Sequence, residues 1–547
     1  MRYVLFLLLV ILFSCKNEKL DRGVGSSDFS LTDFYVSQDS SNKLFLKISS
    51  AEEMITGYVF SDSGKAVVTR YPFVLDTKTN ELRLWAGDSL RQFKVENFTA
   101  SDTLLEIFLC SESNKKITYR FSKNIIPVFL PETDRYRKPI FDSITVETVT
   151  YGRSNGYYTS KNIQDISEDK YPEIIEEVGK SLLKNILMEE LPLEMDIYRP
   201  KGDTCSQRPL IILIHGGAFV IGDKTSPTVK ALAEYYARCG YVVAAPNYRL
   251  GFIFVPGAYY YLERCIYRAT QDIRAAARYL VNFNNRFGVD TSSIYTAGNS
   301  AGGFLALNTA LMDNNSYYPF SKAWPEYLLD DLGCPDCSGN QYKNKFSIKG
   351  IVNMWGALTH IRMLVDKPSV PILCFHGSDD KIISPDYDFP FANVSSNLSS
   401  IFSQKFFGSL AICKFAKVTG APVKLMMFKG AGHDPHINKN GSFNSAMDTI
   451  KKEMSSFLYH LVAGKEGTIT GSETVTINDK ISVYTYAVIN SQYYSWKADG
   501  GLVTGYNADS SSVSVVWFRT REPKIIRLCV RNRNDLVTLK SKEIHFR

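Results

Sequence analysis

The pentapeptide Gly298-Asn299-Ser300-Ala301-Gly302 sets a serine between glycines, just after an apolar strand candidate (Ser293 to Ala297) and just before an apolar helical run (Gly303 to Ala310). A serine hydroxyl attacks carbonyl carbon only when a tight strand-to-helix turn presents it to a base, and small neighbours make room for that turn. The helix N-terminus behind it favours developing negative charge. Upstream, Ile214-His215-Gly216-Gly217-Ala218-Phe219 closes a second apolar strand candidate. A tetrahedral oxyanion needs two preorganised N–H donors, and glycines let the backbone approach it. The hole is therefore assigned to the N–H groups of Gly217, Gly216 and Ala301, with His215 as a brace of its loop. The base must come from seven histidines, and the chain order Ser…Asp…His places acid and base downstream. His433, in Lys429-Gly430-Ala431-Gly432-His433, follows the strand candidate Val423 to Phe428 and is preferred to its rival His436. The acid is sought in His376-Gly377-Ser378-Asp379-Asp380, where Asp380 is preferred to Asp379. Its task is to hold the imidazole tautomer and stabilise the imidazolium. His360, His460 and His545 read as helix or strand faces. This chemistry calls for no metal and no organic cofactor.

Each motif ends a short apolar segment, so a sheet must carry them. Between residues 142 and 464, strand candidates (Leu210 to Ile214, Val242 to Ala245, Ile294 to Ala297, Val370 to Phe375, Val423 to Phe428) alternate with helical patterns (Thr228 to Cys239, Arg264 to Phe287, Gly302 to Leu311, Phe443 to Val462). That alternation predicts an α/β fold, a mainly parallel sheet with helices on both faces. Residues 34–140 instead alternate in short runs, among them Leu44 to Ile48, Met54 to Phe60, Leu82 to Trp85 and Leu104 to Leu109. They predict a small all-β domain with no chemical signature. Residues 465–547 return to β patterning, with Trp496 read as core.

At this point a resemblance enters. The motifs around Ser300, His215, Asp380 and His433, with Leu191 to Pro200, Pro246 to Gly251 and Asp290, look like an α/β-hydrolase of the carboxylesterase type, similar to bacterial feruloyl, acetyl-xylan and related esterases and to type-B carboxylesterases. Asn299 departs from the acidic residue many relatives carry. The resemblance implies a serine ester hydrolase working through an acyl-enzyme, removing acetyl or feruloyl groups from extracellular polysaccharide. A general carboxylesterase or lipase would use the same residues. A prolyl-oligopeptidase-type peptidase shares the order, but the N-terminal β segment is too short for its propeller. A carbohydrate-binding surface lipoprotein without catalysis is the alternative of a different class. In the tail, Tyr493 to Trp496, Gly500-Gly501 and Val515 to Trp517 resemble PKD-like, immunoglobulin-type β-sandwich modules.

Composition bounds the partners. Net charge is 63 − 56 = +7, and from Arg519 to Arg547 nine Lys/Arg face three Asp/Glu, so no broad basic face points to nucleic acid. Arg2 precedes the apolar run Val4 to Phe13, too short to span a bilayer and read as a signal segment. Leu12-Phe13-Ser14-Cys15 resembles a bacterial lipobox. Residues 1–15 are thus expected to be a lipoprotein signal peptide and 16–33 a flexible tether, with Cys15 lipidated and the protein exported and anchored to the bacterial envelope, on the periplasmic face or the cell surface. Ten cysteines less Cys15 leave an odd number. Cys334 and Cys337 are read as a local disulfide, free thiols or, least of all, half a metal site. Two aromatic stretches, Asn315 to Trp324 and Phe252 to Tyr261, are candidates to roof the site. Nothing in the sequence speaks to oligomeric state.

Overall fold

The strand Arg208–Ile214 reads Arg-Pro-Leu-Ile-Ile-Leu-Ile and is buried at every position, as a strand covered on both faces must be. Its side chains alternate between two cores. Leu210, Ile212 and Ile214 pack into one with Leu280, Phe304 and Leu305; Ile211 and Leu213 pack into the other with Val229, Leu232, Ile450 and Met454. Each fully buried Leu or Ile contributes roughly 1.5–3 kcal/mol. Both faces therefore need helices.

A computed structural model describes the backbones of eight strands within residues 34–123. From residue 132 onward it describes the chain except for most of 158–187 and for 256, 258–259, 313–330, 368, 393, 465–466, 476–480, 487–490 and 518–522. The expected signal segment, tether and Cys15, and the aromatic stretch Asn315 to Trp324, lie outside the described residues. The first eight strands, β1 (Phe34–Ser37), β2 (Lys43–Ala51), β3 (Met54–Asp62), β4 (Val68–Asp76), β5 (Glu81–Ala86), β6 (Ser89–Ala100), β7 (Leu104–Cys110) and β8 (Lys116–Lys123), form a closed barrel. Neighbours pair antiparallel, and β1 closes on β8 through Tyr35↔Lys123.

The chain divides into two compact units, and residues 133–465 with 533–536 make the one that carries the motifs. Its sheet contains β9 (Ile144–Gly156), β10 (Glu189–Pro200), β11 (Arg208–Ile214), β12 (Val242–Pro246), β13 (Val289–Asn299), β14 (Ile348–Met354), β16 (Ile372–Gly377) and β19 (Val423–Phe428), in the order β19-β16-β14-β13-β11-β12-β10-β9. The six strands from β19 to β12 are parallel, and β10 and β9 pair antiparallel at the edge. Three short strands, β15 (Ala357–Leu358), β17 (Tyr387–Asp388) and β18 (Phe406–Gly408), form a separate small sheet. This mixed sheet with helices fits the α/β-hydrolase expectation. The helix Pro227–Arg238 begins with Pro at its first turn and buries the stripe Thr228, Val229, Leu232, Ala233, Tyr236, Ala237. The helix Ala301–Leu311 is buried all round.

The helix Tyr260–Asn282 starts four residues earlier than its sequence pattern indicated and buries several arginines. Asp336 holds two of them, Arg274 at 2.7 and 2.8 Å and Arg278 at 2.9 Å. The loop that presents Asp336 is closed by a disulfide between Cys334 and Cys337. In the aromatic stretch from Phe252, Phe252 and Phe254 are buried in the core and pack on each other, with Phe402 against Phe252, while Ile253, Tyr260 and Tyr261 are partly buried and Val255 is exposed. His360 lies in neither a helix nor a strand, but in the turn after β15, 3.4 Å from Glu263.

In the second unit, the C-terminal strands form two four-stranded sheets. They share one core around Tyr484, Trp496, Val515, Trp517, Ile526 and Leu528. Trp496 is fully buried and donates its indole N–H to the Ser510 carbonyl at 2.8 Å, so it is a core residue.

Candidate active site

Four of the parallel strands deliver the candidate residues from their C-terminal ends, the edge at which α/β sheets place their ligands. β13 ends at Asn299, and Ser300 joins it to the helix Ala301–Leu311 with φ 53° and ψ −120°. A left-handed conformation at a non-glycine residue costs about 1–3 kcal/mol and needs surroundings that enforce it. Here the Ser300 N–H donates to the Met354 carbonyl on β14 at 2.9 Å. The flanking glycines are obligatory. A Cβ on Gly302 would stand 2.1 Å from the Ile214 oxygen, and one on Gly298 would stand 2.3 Å from the Gly302 oxygen. Gly302→Ala should therefore force β11 and the helix apart, costing on the order of 3 kcal/mol and lowering Tm by roughly 6–12 °C in a thermal melt.

The loop after β11 lies directly against this turn. A Cβ on Gly216 would stand 3.2 Å from the Ser300 Cβ and 2.9 Å from the Asn299 amide nitrogen. Gly217, Ala218 and Phe219 follow with φ of 115°, 51° and 62°, a run of left-handed residues that coils the loop so that Val220 and Ile221 both donate to the Gly217 carbonyl. Among the described residues, the N–H groups of Gly216, Gly217 and Ala301 go to no protein acceptor. His215 makes no hydrogen bond to Ser300 or Asp380. Its Nδ1 lies 2.8 Å from the Gly216 carbonyl, and its ring stacks on Tyr248 at 4.3 Å. Tyr248 in turn donates to the His215 carbonyl at 3.0 Å. Burial lowers the His215 pKa to about 4, so the brace stays neutral. The stretch Pro246 to Gly251 thus holds the glycine loop, and Arg249 fixes that stretch by pairing with buried Asp272 at 2.8 Å.

His433 follows β19 in a loop pressed onto the end of β16. A Cβ on Gly377 would stand 2.1 Å from the Gly432 oxygen. The His433 ring is fully buried. Its Nε2 is 2.7 Å from Ser300 Oγ, and its Nδ1 is 2.8 Å from Asp380 Oδ2. Asp380 Oδ1 accepts the N–H groups of Ile382 and Ile383, each at 2.9 Å. Burial alone would raise the Asp380 pKa, but the charge on His433 and hydrogen bonds from His376 and His433 hold it well below the carboxylate range. Asp379 is exposed and bonded to the Ser378 hydroxyl at 2.7 Å, and it takes no part in this chain of contacts.

His436 lies in a different pocket, with Nε2 2.8 Å from Thr228 Oγ1 and its ring against Trp355 and Phe443. Burial, then the charge on His433, lowers its pKa to about 3. His436→Ala should cost about 2–4 kcal/mol of stability and leave turnover within about threefold of wild type at a temperature where both are folded; a loss beyond 100-fold would move the base role toward it. His376 is a contact the motifs did not single out. It is fully buried, with Nε2 3.2 Å from Asp380 Oδ2. Its position four residues before Asp380 was the available signal.

Known proteins resemble parts of the chain. Carboxylesterase 3B of Mus musculus is 35% identical over 115 residues, 21% of this chain and 19% of that protein. Esterase LipI of Mycobacterium tuberculosis is 26% identical over 166 residues, 29% of this chain and 48% of that protein. The chain thus spans about a fifth to a half of the length of the curated relatives it matches. A solved esterase from the Planctomycetes species Thermogutta terrifontis, with propionate bound, is 19% identical with a TM-score of 0.34, covering 50% of this chain and 93% of that one. The family model that matches is BD-FAE, over residues 195–364, a stretch that contains Ser300 and the glycine loop and stops before Asp380 and His433.

Proposed function

We propose that this chain hydrolyses carboxylic esters through an acyl-enzyme on Ser300. The observation that carries the reading is the unbroken line from Ser300 Oγ to His433 Nε2 at 2.7 Å and from His433 Nδ1 to Asp380 Oδ2 at 2.8 Å. The match of residues 195–364 to the BD-FAE family model, and the similarity of parts of the chain to a carboxylesterase and an esterase, support it. Ser300 Oγ attacks the ester carbonyl as His433 Nε2 takes its proton; Asp380, ionised, stabilises the imidazolium and does not take the proton. The oxyanion is held by the N–H groups of Gly217 and Ala301, with Gly216 beside them. His433 then protonates the departing alkoxide. Water, deprotonated by His433, attacks the acyl-enzyme and releases the acid.

The substrate read for this site is an acetyl or feruloyl ester on extracellular polysaccharide. An envelope protein tethered through lipidated Cys15, with a PKD-like module at its C-terminus, would meet such esters outside the cell. The test is acid release from acetyl-xylan, a feruloylated oligosaccharide, short and long acyl esters and a proline peptide. Release of acetate or ferulate from the glycans supports the whole reading. Turnover of simple acyl esters alone keeps the mechanism and removes the polysaccharide. Turnover of the peptide alone replaces the esterase with a peptidase, and no turnover with retained glycan binding replaces the enzyme with a binding protein.

A further inference from the structure

Three N–H donors reach Asp380, the amides of Ile382 and Ile383 on Oδ1 and the imidazole of His433 on Oδ2 at 2.8 Å, and a second imidazole nitrogen, His376 Nε2, stands 3.2 Å from Oδ2. The ester hydrolysis proposed above uses only His433. The second imidazole sits at the head of a buried relay whose proton positions can be worked out from its far end. Asn353 Oδ1 accepts the Gly356 N–H at 3.1 Å, which fixes the amide orientation. Its Nδ2 then donates to Ser409 Oγ at 3.1 Å. Ser409 Oγ, having accepted, turns its own proton toward His376 Nδ1 at 2.8 Å. His376 Nε2 must therefore carry a hydrogen. The other side of the ring requires the same, because Nε2 lies 2.9 Å from the Ile383 carbonyl, an acceptor only. That nitrogen bonds the Ile383 carbonyl at 2.9 Å and stands 3.2 Å from Asp380 Oδ2. Asn353, Ser409 and His376 are all fully buried, so no solvent competes for these bonds.

We propose that His376 is a positioning residue for Asp380: its Nε2–H, oriented by Asn353 and Ser409, donates into the carboxylate and limits how strongly that carboxylate pulls on the His433 proton. The proposal rests on the Ser300–His433–Asp380 reading of the site. A donor to a carboxylate lowers its basicity. Without it Asp380 holds more charge toward His433, the imidazolium is stabilised, and His433 needs a higher pH to become a base. Among the described residues, Asp380 bonds His433 at 2.8 Å, His376 acts on it through Asp380, and His436, which feels the charge on His433, is held neutral by burial.

The experiment is a histidine-selective NMR titration of the full chain, run without substrate so that it reads out even if the ester reading fails. In His376→Leu the His433 resonance should titrate about half a pH unit or more above wild type. In His376→Gln, whose amide N–H can reach the Nε2 position, it should return to the wild-type value. Ser409→Ala, which removes the hydroxyl that holds His376 Nδ1 and so loosens the ring while Ile383 keeps the tautomer, should shift it upward by a smaller amount and serves if His376→Leu does not fold. If His433 titrates at the wild-type pH in folded His376→Leu and in Ser409→Ala, the proposal is overturned. In chains that turn over esters, the acid limb of the kcat/KM profile should move with the resonance while KM stays constant.

Discussion

Substituting Ser300 by alanine should lower kcat for acyl esters by on the order of 10⁶-fold, leaving a remnant about 10³–10⁴-fold above the reaction in water. The remnant is expected because the substitution removes the nucleophile and leaves the Gly216–Gly217 loop and the Ala301 N–H in place. The fold should scarcely notice. Ser300 is 8% exposed and its backbone is held by Met354, so Tm should stay within about 2 °C. Turnover within tenfold of wild type would remove Ser300 from the nucleophile role. Loss of activity together with loss of the melting transition would show only that the turn had collapsed.

Asp380→Asn should lower kcat by about 10⁴-fold, and the geometry says why the amide is so damaging. Asp380 Oδ1 accepts the Ile382 and Ile383 N–H groups. In an asparagine the carbonyl oxygen takes that position, because the two backbone amides can only donate whereas the His433 ring can move its proton to the other nitrogen. The NH₂ then faces His433 Nδ1 and donates to it. Nδ1 becomes the acceptor, the ring proton moves to Nε2, and Nε2 can no longer receive the Ser300 proton. Loss of the negative charge also lowers the His433 pKa, so the acid limb of the pH–rate profile should move down, opposite to the shift expected for His376→Leu. Stopped assays across pH 4–9 with a chromogenic ester (about the range in which an imidazole titrates) check both the size and the sign. An unchanged rate would transfer the acid role elsewhere.

The parts of the site legible in the sequence are those that impose a backbone requirement. Gly298, Gly302 and Gly377 each abut backbone at a distance no Cβ tolerates, and Gly216 lies tight against Asn299 and Ser300; such positions leave motifs. The turn at Ser300, the Gly216–Gly217 loop and the two loops bearing Asp380 and His433 were legible for that reason. The Asn353–Ser409–His376 relay was not, because it joins residues on three separate elements by side-chain hydrogen bonds alone, with no spacing rule to mark them. β14 was also missed as a strand: Ile348-Lys349-Gly350-Ile351-Val352-Asn353-Met354 is broken by a lysine, a glycine and an asparagine, which dilute its apolar run. In the aromatic stretch at Phe252, bulk alone fits a roof as well as a core, and only burial assigns Phe252 and Phe254 to the core. In the N-terminal segment the alternation quoted from the sequence marks four of eight strands, and closure of β1 on β8 is a long-range pairing that local alternation does not encode.

Ser300 and His433 are separated by 133 residues. At about 5–20 residues per second of synthesis, the serine leaves the ribosome roughly 7–27 s before the histidine that would activate it. During that interval β11, β12 and β13 can pair and the turn at Ser300 can form, but its hydroxyl has no base and keeps the low reactivity of an ordinary alcohol. The last parallel strand, β19, pairs with β16, and the loops after these two strands bring base and acid together. On the proposed reading, reactivity would be deferred to the end of assembly of this unit, and a nascent chain still lacking His433 would carry an inert serine.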